Sequence, residues 1–297
     1  VTDDEIVALF DRCSNTGKWG ADDELGTLNY ITDATRRAAA ALVKHGRSVS
    51  IGRDLSTVAD QLNADPLRHR MLFDSTSPVS ALDSFELAPH GFAITHLDAI
   101  THVFWEGNAY NGRRSDELLR PGGLRAGSVH AQRDGIVTRG VLLDVTAVRG
   151  VPFLTPGEAV TAEDLTAAER LSGTEVTSGD AVFVHVGLER REAEQGTEDP
   201  SVRAGLDASC LPWLHEREVA VYSGDCVDQI PFPSKAVPLP LHQIGLVAMG
   251  LVLLDCPRLA ELVEVCAELG TAEFLLTAAP LRIPGGTGSP VNPLCLF

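Results

Sequence analysis

The sequence predicts an α/β fold, one domain preceded by an N-terminal helical extension. Short runs rich in valine and isoleucine, bounded by Gly, Pro and Asp, recur along the chain and read as strands. Amphipathic helical stretches lie between them, the alternation expected of an α/β protein. No internal repeat and no linker-like charge block interrupts the 297 residues, so residues 1–48 read as the extension and 49–297 as the domain.

Taken in order, Ile6, Leu9, Phe10 and Cys13 fall at helical spacing behind Thr2-Asp3-Asp4, an acidic start suited to a helix N-terminus. SNTGKWGADDELGTLN follows as an extended turn region. A second helix is expected from about Thr32 to a stop at Gly46. The strand candidates are SVSIG, AITHLDAITHVFW, GIVTRGVLLDVTAV, DAVFVHVG, VAVYSGD and GLVLLDC. Between them, TAEDLTAAERL opens with a Thr-x-x-Asp capping box, and SVRAGLDASCLPWLHERE carries amphipathic spacing. PRLAELVEVCAELG reads as a helix with Pro257 near its first turn and Gly270 as its stop.

Composition narrows the function. A net charge of −17 opposes binding to nucleic acid or to an anionic membrane surface. The longest apolar or glycine run, Ile244 to Leu254, is too short to span a bilayer. The acidic start lacks the basic region of a signal peptide, and the six cysteines are scattered with no CxxC pair. Both features lead us to expect a cytoplasmic protein with reduced thiols. There is no GxGxxG after a strand, no GxxxxGK[ST], no GxSxG and no HExxH.

One segment carries chemistry. HGFAITHLDAITHVFWEGNAYNG places His96, Asp98 and His102 in a His-x-Asp-x-x-x-His array, with His90 six residues upstream of His96. Residues two apart on a strand point to one side, about 6.6 Å apart at Cα. His96 and Asp98 can therefore converge on one cation, a mixed nitrogen and oxygen set that suits zinc or manganese. His102 reaches the same place only if the chain turns after Asp98. Three ionisable groups inside an apolar run would cost several kcal/mol to bury unpartnered, on the order of 2–7 each, and a metal is an economical partner. A second candidate pair is His242, ahead of a helical stretch ending at Gly250, and Asp255 at the end of the next strand. Phe92, Trp105 and Tyr110, close to the array in sequence, are candidate substrate contacts, as aromatics often line pockets. His185 and Asp225 carry no motif and stay outside the set.

HLDAITHVFWEGNAYNG, WGADDELGTLN, HQIGLVAMGLVLLDCPRLAEL and PLRIPGGTGSPVNP together resemble the cyclase family of metal-dependent hydrolases, which includes kynurenine formamidases and isatin hydrolases. The chain is similar to the longer branch of that family, the one with an N-terminal extension. The resemblance implies a swivelling β/β/α fold, a homodimer or higher oligomer, and one or two divalent ions, zinc more readily than manganese. It implies His96, Asp98, His242 and Asp255 as metal ligands and His102 as catalytic acid/base. The family's first ligand histidine stands four residues before His96, where this chain has Phe92; His90, with the same strand parity, is the expected substitute. The distal acid is Asp255 rather than Glu. The expected reaction is hydrolysis of the C–N bond of a small amide, an aryl formamide or a lactam, by metal-bound hydroxide with a histidine acid/base. The alternative is a metal-poor cyclase or dehydratase working on a biosynthetic intermediate through histidine acid/base groups. A non-enzymatic binding or scaffold protein is the third reading.

Overall fold

The computed structural model describes residues 2–72 and 79–297. Its frame is a nine-stranded sheet. In chain order the strands are β1 (Ser48–Ser50), β2 (His96–Asp98), β3 (Ile136–Asp144), β4 (Ala181–His185), β5 (Val221–Gly224), β6 (Val252–Asp255), β7 (Glu273–Ala278), β8 (Gly288–Pro290) and β9 (Leu294–Leu296). Across the sheet the order is β1-β9-β7-β3-β4-β5-β6-β2-β8. β3, β4, β5 and β6 pair in parallel, and all other neighbours pair antiparallel.

The parallel centre is buried on both faces, as crossover helices require. Val141, Leu143, Val182, Val184 and Leu253 point into one core, while Leu142, Phe183, Val221 and Leu254 point into the other. That alternation follows from the two-residue period of a strand. Helices Ala162–Ser172, Leu188–Gln195, Cys210–Glu216 and Leu241–Met249 make the crossovers between the parallel strands. The Thr161 and Asp164 side chains form the capping box read from the sequence. Helix Ala260–Leu269 stops at Gly270, which adopts the left-handed conformation expected of a C-terminal glycine.

The sequence overextended several elements. The helix expected to run to Gly46 covers only Asp33–Ala40. The opening helix is split into Asp3–Val7 and Leu9–Arg12. SVRAGLDASCLPWLHERE holds a two-residue strand, Gly205–Leu206, ahead of the Cys210–Glu216 helix, because Gly205 sits against the Asp228 backbone with no room for a Cβ. In AITHLDAITHVFW only β2 is extended; the chain then turns, His102 N donating to Ala99 O at 2.9 Å. The N-terminal helices share the main core: Ile6 and Cys13 are buried in the same cluster as Leu241 and Ile244. Among the described residues, no helix is long and apolar enough to cross a membrane.

Candidate metal centre

β2 and β6 are antiparallel neighbours with His96 opposite Asp255. Pairing alone therefore brings the two sequence segments singled out above to one place. Asp98, on the same face of β2 as His96, is 1% exposed, and the turn after it returns His102 to that side. His242 enters from the second residue of the Leu241–Met249 helix, which is wound with i→i+5 hydrogen bonds, a local geometry common at functional sites.

Asp98 is the hub. Its Oδ1 lies 3.0 Å from His90 Nδ1 and 3.5 Å from His96 Nε2, and its Oδ2 lies 3.9 Å from His242 Nε2. His242 Nε2 also stands 3.2 Å from Asp255 Oδ2. His90 and His102 stack in parallel with ring centroids 3.8 Å apart. The donors form two groups that share Asp98, His90 with His102 and His96 with Asp255, the ligand atoms of each group lying within 4.8 Å of one another. The structure thus gathers His90, His96, Asp98, His102, His242 and Asp255 around one cavity of about 210 Å³, walled by Phe92, Val103, Val227, Ile230 and Leu239.

Whether these residues fit a cation is answered by what their polar atoms lack. Among the described residues, the buried His90 Nδ1, Asp98 Oδ1 and Asp255 Oδ1 have no hydrogen-bond partner, although His90 Nδ1 and Asp98 Oδ1 stand 3.0 Å apart. Buried orphans of this kind cost roughly 1–3 kcal/mol each, and more when charged. Three of them facing one small space are what a bound cation would satisfy. The supporting contacts set the imidazoles for it. His96 Nδ1 faces Ile94 O at 2.7 Å, so it carries the proton and leaves Nε2 as a donor lone pair. His242 Nδ1 meets Asp228 Oδ2 at 2.6 Å, and Asp228 Oδ1 accepts from Leu241 N at the helix start.

Burial alone would raise the Asp98 carboxyl, but the adjacent His90 and the charges of His96, His102 and His242 more than offset it and hold it at about 2. Burial opposes charge on His242, yet its contacts with Asp228 and Asp255 push it well above the ordinary imidazole range. Nε2 must shed that proton to ligate a metal. Burial lowers His102 to about 4, the Asp98 charge offsetting only part of the effect, so its imidazole is neutral near pH 7.

The aromatic candidates separate. Phe92 lines the cavity. Trp105 stacks on Phe10 of the extension at 4.8 Å, and Tyr110 is fully buried with its hydroxyl donating to Asp23. Neither lines the cavity: closeness to the array in sequence is lost when the chain turns after His102. His185 pairs with Asp144 at 3.0 Å and also lies outside it. Two residues escaped the sequence reading. Asp228, fully buried, has no motif around it, and Thr287, whose Oγ1 lies 3.0 Å from His90 Nε2, sits in the glycine- and proline-rich tail.

Known proteins agree with this frame. A crystal structure described as a novel cyclase superposes with a TM-score of 0.86 at 27% identity, covering 96% of this chain and 99% of its own. Isatin hydrolase A from Labrenzia aggregata shares the fold at a TM-score of 0.60 and 20% identity, covering 86% of this chain and 94% of that one. The enzyme of the same name from Ralstonia solanacearum gives 0.60 and 22%, over 89% and 97%. No curated protein matches the sequence. The Cyclase family model matches residues 48–229, which carry four of the six gathered side chains together with Asp228, and by that match the chain belongs to the cyclase family.

Proposed function

We propose that the protein is a metal-dependent hydrolase that opens the C–N bond of a small amide, linear as in an aryl formamide or cyclic as in a lactam. The observation that carries this is the set of three unpartnered buried polar atoms, on His90, Asp98 and Asp255, facing one small apolar-walled cavity. His90, His96, Asp98, His242 and Asp255 are the ligand set, with room in the two donor groups for one or two ions. The mixed nitrogen and oxygen donors suit zinc first and manganese second. When bound, the cation supplies Lewis-acid polarisation of the amide carbonyl and activation of water.

The chain supplies the proton chemistry. His102, neutral near pH 7, accepts the proton of the attacking water on its free ring nitrogen. The imidazolium so formed is a strong acid because burial destabilises it, and it delivers the proton to the leaving nitrogen. Val103, Val227, Ile230 and Leu239 give the cavity apolar walls beside the reacting groups. The isatin hydrolases that share the fold act on isatin, a cyclic amide, which supports the lactam arm.

Phe92, a side chain with no donor atom, favours a second reading: cyclisation or dehydration of an intermediate by His90 and His102 in a metal-poor site. Metal content per chain by elemental analysis, followed by hydrolysis of isatin and formanilide with and without chelator, separates the two. About one or two equivalents of metal and chelator-sensitive turnover support the hydrolase; an empty chain that refuses added metal supports the second reading. Exposed Phe85, on the antiparallel strand pair Arg68–Met71/Asp83–Glu86, and exposed Leu82 just before it support a homo-oligomer, which light scattering tests. The six buried free thiols support a cytoplasmic location.

A further inference from the structure

We propose that Phe92 is the specificity-determining residue of this site: its ring is the partition that limits the substrate to compact amides. The inference rests on the hydrolase reading for the word substrate, but its geometry stands by itself. The cavity holding His90, Asp98 and Asp255 measures about 210 Å³, below the roughly 300–1,000 Å³ of ordinary ligand pockets. Beside it runs a groove of about 420 Å³ with a charged lining that includes Arg53, Glu192 and Arg258. Among the described residues, Phe92 alone lines both spaces.

The ring is held in that place. The Arg203 guanidinium lies over its face, 4.3 Å from the centroid. Arg203 is 4% exposed and pairs with Glu198 at 3.0 Å. Its backbone is fixed to Ile230, itself a wall of the small cavity, by two hydrogen bonds of 2.8 and 3.0 Å. A side chain clamped from behind by a buried cation, on a backbone tied to the cavity wall, does not swing aside to admit a larger ligand without breaking these contacts. On this reading a substrate with a substituent beyond one ring meets Phe92, and truncating Phe92 opens the cavity toward the groove.

The test uses the metal-loaded protein and reads binding separately from turnover. Dissociation constants for benzamide and for 4-phenylbenzamide are measured by ligand-observed NMR on wild type, Phe92→Ala and Phe92→Leu. The expected result is that the preference for benzamide falls by about tenfold or more in Phe92→Ala, with Phe92→Leu intermediate. An unchanged preference in both variants overturns the proposal, as does wild type that binds 4-phenylbenzamide as tightly as benzamide, or no binding of either probe to any of the three proteins. If Phe92→Ala fails to fold, Phe92→Leu decides. Formanilide turnover measured alongside reports on the hydrolase reading alone, since a size effect on binding requires no catalysis.

Discussion

Asp228 shows how much of a metal site lies outside its ligands. Its carboxylate accepts from Leu241 N and touches His242 Nδ1 at 2.6 Å, so one side chain both starts the helix and selects the tautomer of His242. Asp228→Asn keeps the size of the group and removes its charge. We expect it to weaken metal affinity about 10- to 100-fold, the usual cost of losing such a partner, while far-UV circular dichroism stays native; competition titration against a chelating dye measures it, and unchanged affinity excludes Asp228 from positioning. His102 makes the opposite prediction. Its proposed part is proton transfer rather than ligation, so His102→Ala should retain metal and lose about 10²- to 10⁴-fold in kcat. A variant that loses metal as well would assign His102 to the ligand set, beside His90 and Asp98.

At the scale of elements, the site depends on where the Leu241–Met249 helix ends. Gly250 terminates it at φ +62°, and a Cβ there would meet the Tyr110 ring at 2.6 Å. Gly250→Ala combines left-handed strain with overpacking and should cost about 2–5 kcal/mol, read as a lower urea midpoint with an unchanged m-value. The carboxyl ends of the parallel strands carry a second polar row, Asp144, His185 and Asp225. Burial works against charge on His185, but Asp225 and Asp144 outweigh it and raise its pKa. The native state thus holds the proton more tightly than the unfolded chain. This stability is fully present below the unfolded value, near pH 6.5, and is lost as pH rises through the higher folded one. His185→Asn should therefore cost more near pH 6, about 1.5–3 kcal/mol, than near pH 9.5. Equal costs at both would exclude the ionised pair. The strands of the centre were legible because their valine- and isoleucine-rich runs are bounded by glycine and aspartate, and β2 because its ionisable groups interrupt an apolar run. Trp105 and Tyr110 were misplaced because adjacency in sequence was read as adjacency in space. β8 and Thr287 were hidden because a Gly-Ser-Pro strand has no propensity of its own and forms by pairing with β2.

For the molecule as a whole, the centre is a cross-link made of remote parts. His90, His96, Asp98 and His102 precede the parallel strands, whereas His242 lies in the third crossover and Asp255 at the end of the strand that follows it. The contacts between the two segments, His242 with Asp98 and Asp255 opposite His96, close a long loop of chain, so the full set meets only in the folded state, and the unfolded chain offers a cation no comparable site. Without a cation, the fold must bury the Asp98 and Asp255 carboxylates with unpartnered oxygens. With one, the same atoms are satisfied, and binding adds to folding stability as RT ln(1 + [L]/Kd), about 2.7 kcal/mol at a hundredfold excess over Kd. For a chain of this size, that corresponds to a rise in Tm of roughly 4 °C. Calorimetry of the chelator-treated protein, repeated after adding zinc, should show that rise, and Asp98→Asn should abolish it because the shared ligand of both donor groups is gone. The control matters because zinc binding elsewhere would raise Tm in both proteins alike. A Tm indifferent to chelator and metal in wild type would mean that the buried carboxylates are stabilised by their histidines alone, which is the arrangement the metal-poor cyclase reading requires.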